Sequence, residues 1–174
     1  ARDGSVTRMI ADYIYQQMLP LADAVADIHS GGKTMYFSPF GAIHDLDDKA
    51  LMERARQAMV AFDPPIALVL RELDAEGMLD TAVEELGKVF VTTELGGGGT
   101  TTTATIAVAE RGLRNLLKHF GVIEGKPETR ASLGLKPTRM MAMPDNAYVV
   151  ADDAGLLEML VDIDAPVKAG QPIA

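Results

Sequence analysis

A chain of 174 residues without a single cysteine forms no disulfide and no thiolate metal site, and a reducing cytoplasm is its expected compartment. Its formal charge of −9, with no lysine or arginine run, argues against nucleic acid and acidic membrane surfaces as partners. With 48% hydrophobic residues it can bury a core, yet no apolar stretch approaches a bilayer span and no leader pattern opens the chain.

The chain begins at alanine, with Arg2 and Asp3 next, which reads as an excised or processed product. Ser5 is placed to cap a helix whose apolar face is Val6, Met9, Ile10, Tyr13, Ile14 and Leu21, closed at Pro20. Ala24 to His29 reads as a buried strand. Lys33 to Asp45 mixes glycine, proline, aromatics and His44 without a period, and is expected to be a long surface loop. Asp47 or Asp48 caps a second helix to about Ala61, with Pro64 and Pro65 closing it. Ile66 to Leu70 is a short continuous apolar run, the mark of an inner strand.

Thr81 and Glu84 have capping-box spacing and open a short helix ending at Gly87. Val89 to Glu94 is the next strand, and Gly96 to Gly99 is a loop. Thr103 to Phe120 is a long helix with Ile106, Leu113, Leu116, Leu117 and Phe120 turned inward. Helix and strand alternate with no hairpin signal, which predicts an α/β fold: a mostly parallel sheet covered by helices. After Lys126 the punctuation changes to short Met-rich and Val-rich runs, with turns at Pro144-Asp145-Asn146 and at Pro166 to Pro172. The expected division is an α/β domain over 1–130 and an incomplete β-rich domain over 131–174.

Two segments carry chemistry. Asp27-Ile28-His29-Ser30-Gly31-Gly32 and Thr92-Thr93-Glu94-Leu95-Gly96-Gly97 each end a strand-like run at an ionisable side chain followed by glycines. Buried strands deliver reactive groups to a sheet rim in this way. A histidine and a glutamate so placed are parts of a metal-assisted hydrolase, one a zinc ligand and the other a general base. Asp27 lies two residues before His29, hence on the same strand face, where it can orient the imidazole. Gly31, Gly32, Gly96 and Gly97 are the candidate substrate loop, since glycines let a ligand approach the backbone closely. The bland alternatives are a hydrogen-bonded strand-end histidine and a solvated glutamate.

Gly96 to Thr103 is glycine-rich and precedes a helix, but it lacks the Gly-Lys-Ser/Thr ending of a nucleotide loop. It keeps open a second reading, a non-catalytic α/β module that holds a small anion at a helix start. His119 reads as a structural residue in a last helical turn, His44 as a surface residue that its loop could also bring to substrate, and Arg54, Arg56 and Arg71 as surface charges, any one of which could bind a substrate carboxylate.

On these two segments the chain resembles the succinylglutamate desuccinylase/aspartoacylase family, and most closely its N-acetyl-diaminobutyrate deacetylase-like branch. The opening Asp3-Gly4-Ser5, the strand Gly87 to Glu94 and the helix end Leu113 to Gly121 share the resemblance, which spans residues 1–174. It implies a carboxypeptidase-A-like α/β fold and zinc-dependent cleavage of the amide bond of N-acyl amino acids. His29 would be the third zinc ligand and Glu94 the general base. The family's other two ligands come from an upstream His-x-x-Glu motif, and no such motif occurs in this sequence. The arginines that bind substrate in the family are missing too, so the resemblance implies part of an enzyme, inactive by itself. The tail from Leu133 resembles the family's C-terminal β domain. A related zinc carboxypeptidase is a third reading, and the partner implied is a small N-acyl amino acid, with a homo-oligomer left open.

Overall fold

The computed structural model describes residues 4–71, 77–144 and 147–174. Ser5 caps helix α1 (Val6–Tyr13) by accepting the amide of Arg8 at 3.3 Å. The chain runs on through a π-turn at Ile14–Met18 and a 3₁₀ turn at Leu19–Leu21, where Pro20 ends it. Asp3, quoted with this helix start, lies outside the described residues.

The apolar face expected to point inward is exposed instead, with Val6 at 74% and Leu21 at 85%. Only Leu19 is buried, in a small cluster with Val83 and Phe90 against which Ile14 packs. A 3.6-residue period says that a helix has two faces; it does not supply the surface that one of them covers.

Five strands form one mixed, mostly parallel sheet in the order β1 (Ala24–His29), β4 (Val89–Glu94), β2 (Phe40–His44), β3 (Ile66–Leu70), β5 (Arg139–Ala142). The pairs β1/β4, β2/β3 and β3/β5 are parallel, and β2/β4 is antiparallel. β1, β3 and β4 coincide in extent with the expected strands, but β1 corrects the expected buried strand, because none of its residues is buried and it lies at the edge of the described sheet. β2 corrects the expected surface loop, because it is a central strand with Gly41, Ala42, Ile43 and His44 all buried. Its small residues hide it from a pattern search. A Cβ on Gly41 would lie 2.8 Å from the Met59 sulfur, so this strand is made by close neighbours rather than by its own propensity.

Helix α2 (Lys49–Phe62) begins at Asp48, whose Oδ1 accepts the amides of Ala50 and Leu51. Helix α3 (Leu79–Glu85) starts two residues before Thr81, with Met78 as its uncapped first flank, so the Thr81/Glu84 capping box does not form. Thr81 instead donates its amide to Asp80 Oδ1 at 2.7 Å. A capping box does open helix α4 (Thr103–His119), between Thr102 and Thr105. The inward face of α4 is Thr105, Val108, Gly112, Asn115 and Leu116, which corrects the expected set in all but Leu116. Gly112 lets α4 approach α2, since a Cβ there would lie 2.3 Å from the Phe62 ring. With the helix seated on that small residue, Leu113, Leu117 and Phe120 line an apolar groove of about 590 Å³ against Val89 and Val91.

Asn115 exchanges two hydrogen bonds with the Glu128 backbone, and Asp63 receives Thr138 and the Arg130 amide. These contacts lead the chain back to β5 at the sheet edge. Beyond Ala142 the described residues contain no further helix or strand. A turn closes at Lys168–Gln171, within the expected Pro166–Pro172 turn, and Ser38 donates to Asp164 from that tail. Asp145 and Asn146, expected in a turn, lie outside the described residues.

Candidate active site

Strand register brings the two singled-out side chains together. β1 and β4 run parallel with His29 directly beside Glu94 and Asp27 beside Thr92. Neighbouring strands lie about 4.8 Å apart, and side chains two apart share a face, so Asp27, His29 and Glu94 meet on one face at one end of the sheet. His29 Nε2 lies 2.9 Å from Asp27 Oδ2. With Nε2 donating to that carboxylate, a neutral imidazole offers Nδ1 as its lone pair.

Glu94 differs from a solvated strand end. Its Oε2 is buried and has no hydrogen-bond partner among the described residues. Burial pushes its carboxyl above the ordinary glutamate range, His29 pulls it down, and Asp27 pushes it up again. A carboxylate that holds its proton more readily than usual is suited to accept one and give it back.

The glycines after each side chain interlock. Gly31 and Phe37 both donate their amides to the Gly96 carbonyl, Gly98 donates to Met35 and Gly99 to Gly32. The Met35 carbonyl fills the space where a side chain on Gly31 or Gly97 would stand, at 2.4 Å and 2.2 Å from the added Cβ. Gly97 also has a φ of 143°, open to few L residues. Gly97→Ala is therefore expected to cost about 1–3 kcal/mol of stability, the usual range for a forced backbone conformation. Urea denaturation checks this, and an unchanged midpoint would mean that the loops are not packed as described. The same bonds weaken the anion-binding reading. The Gly98, Gly99 and Thr100 amides are committed within the protein, and the start of α4 is served by Thr102 and Thr105.

His44 is corrected from a surface residue to a buried one, 5% exposed. Its Nδ1 bonds Glu84 at 2.9 Å, its Nε2 lies 3.9 Å from Asp80, and its ring stacks on Phe90. Because β2 runs against β4, Phe40 sits beside Glu94 and His44 lies at the other end. Four strand steps separate them, about 13 Å. His44 therefore plays no part in this site. The buried pair of α3 carboxylates that holds it was not singled out by sequence, although Asp80 and Glu84 lie four residues apart on a helix. Arg56 and Arg71 pair with Glu53 and Asp45 at the surface, and His119 packs edge-on against Phe120 in the last turn of α4.

Among the described residues no group of three histidine, aspartate or glutamate side chains could hold a metal ion. The donors present fit one ligand position, the free Nδ1 of His29, beside an unpartnered carboxylate. They do not make a closed zinc shell.

Known proteins share this arrangement of strands. The chain is 47% identical to the N-alpha-acetyl-L-2,4-diaminobutyric acid deacetylase of Halomonas elongata, over 99% of the chain and 49% of the relative. Its fold matches the product-bound ectoine utilization protein EutE (DoeB) of Ruegeria pomeroyi with a TM-score of 0.87 at 44% identity, covering 99% of this chain and 55% of that one. A succinylglutamate desuccinylase/aspartoacylase structure from Rhodobacter sphaeroides gives 0.89 at 34% identity, covering 99% and 51%. The chain thus spans about half the length of the relatives it matches. A profile of the succinylglutamate desuccinylase/aspartoacylase catalytic domain matches residues 1–120, and the chain belongs to that family.

Proposed function

We propose that this chain supplies one zinc ligand and the general base of an amidohydrolase that removes the acyl group from an N-acyl amino acid. The observation that carries the reading is the pairing of His29 with Glu94 across β1 and β4, with Asp27 on the imidazole and one Glu94 oxygen unpartnered. The Halomonas elongata relative supports N-acetylated diaminobutyrate as the substrate. The cysteine-free composition supports the cytoplasm as the compartment.

Zinc, when bound, supplies Lewis acidity at the acyl carbonyl and an acidified water. His29 is the residue of this chain that would hold it, through Nδ1, while Asp27 would fix the ring's orientation. Glu94 takes a proton from the attacking water and returns it to the leaving amine, whose departure needs that proton. The other ligands would come from residues outside these 174. Residues 131–174 we read as the start of a β-rich unit, of which Arg139–Ala142 joins the sheet.

Two measurements test the reading. The complete protein is expected to release acetate from N-acetyl-diaminobutyrate in preference to trimming peptide C-termini. Peptide trimming as the main activity would instead select the zinc carboxypeptidase reading. The isolated chain is expected to bind zinc weakly, since one imidazole does not replace three protein ligands. Tight one-to-one binding in calorimetric titration would show further ligands within the chain, and His44 is too far away to be one.

A further inference from the structure

β1 is the outer strand on its side of the described sheet. Its last residue, His29, has a side chain 55% exposed and runs straight into Ser30-Gly31-Gly32. The chemistry proposed for His29 needs a fixed place beside Glu94, and the His29 carbonyl already accepts the Leu95 amide at 2.9 Å.

We propose that Thr93 is the positioning residue that holds it: the buried Thr93 hydroxyl clamps the main chain of His29. The proposal rests on the zinc-ligand reading of His29. Thr93 is fully buried. Its Oγ1 accepts the His29 amide at 3.2 Å and lies 3.5 Å from the His29 carbonyl oxygen. A hydroxyl is both donor and acceptor, so one side chain can serve both main-chain groups of the same residue.

Thr93 stands beside Ile28 in the register, one step before the His29–Glu94 pair. Strand alternation sends its side chain to the face opposite that of Glu94. It thus acts on His29 from behind the site and touches neither the imidazole nor a substrate. The neighbouring Thr92 donates to the Asp27 carbonyl at 3.3 Å, so consecutive threonines of β4 hold the two β1 residues of the site. Val91 in β4 and Leu95 just after it are also buried, so a valine of the same shape would replace Thr93 there without an unbonded hydroxyl to satisfy. The hydroxyl therefore matters for its bonds to His29.

The test compares Thr93→Val, which keeps the shape and removes the hydroxyl, with Thr93→Ser, which keeps the hydroxyl, in the complete protein. The readouts are hydrogen exchange of the His29 amide without metal and zinc affinity by chelator competition. Thr93→Val is expected to exchange the His29 amide about fivefold faster and to bind zinc about fivefold more weakly, the worth of one hydrogen bond. Thr93→Ser is expected to stay within about twofold on both, although it loses a buried methyl group. Unchanged exchange in Thr93→Val overturns the clamp. Equal weakening of zinc by both variants overturns it too, because that pattern follows packing rather than the hydroxyl. If the unaltered protein binds no zinc, the ligand reading of His29 falls, and the amide exchange still decides whether the clamp exists.

Discussion

Glu94→Gln in the complete enzyme is expected to lower kcat by roughly a hundredfold to ten-thousandfold, the range for losing a positioned acid–base group. Glutamine keeps the size and polarity of the side chain but does not accept a proton at neutral pH. Zinc content and substrate affinity should therefore survive the change. His29→Ala should differ in kind, because it removes the proposed ligand and so should lose metal and activity together. Metal analysis alongside steady-state kinetics separates the two outcomes. Near wild-type turnover in Glu94→Gln would reduce the glutamate to a strand end and assign the proton transfer elsewhere. The buried, unpartnered Glu94 oxygen and the carboxyl's upward shift by burial weigh against that result.

Phe62→Ala is expected to destabilise the fold by about 3–5 kcal/mol, the usual cost of deleting a buried aromatic ring and leaving its cavity. Phe62 is fully buried at the end of α2, and its ring lies against Gly112 of α4. The ring thus joins the two helices that enclose the main core, and no side chain on Gly112 stands ready to fill the space. A domain is stable by only about 5–15 kcal/mol, so one substitution removes a large share of that margin. Urea denaturation of the variant measures it. A loss below about 1 kcal/mol would mean that α4 slides in to close the cavity.

The His29–Glu94 pair was legible because each residue ends an apolar run and precedes glycines, a pattern that a strand end at a sheet rim produces. β3 and β4 were legible for the same reason, being short apolar runs bounded by breakers. β2 was not, since Gly41 and Ala42 carry little side chain to show a period, and the strand exists through its pairing with β3 and β4. Misplacing β2 also misplaced His44, which burial and the α3 carboxylates turn into a structural residue.

Local composition by itself determined the α/β class, the strands that carry the proposed site and the two side chains proposed for it, because strand ends, caps and breakers are properties of a few adjacent residues. Tertiary structure decided which helix faces are covered, as the exposed side of α1 and the Gly112 seat of α4 show. It also decided that His29 and Glu94, 65 positions apart, stand side by side. Register between distant strands depends on every neighbour in the sheet, and no local pattern of residues carries that information.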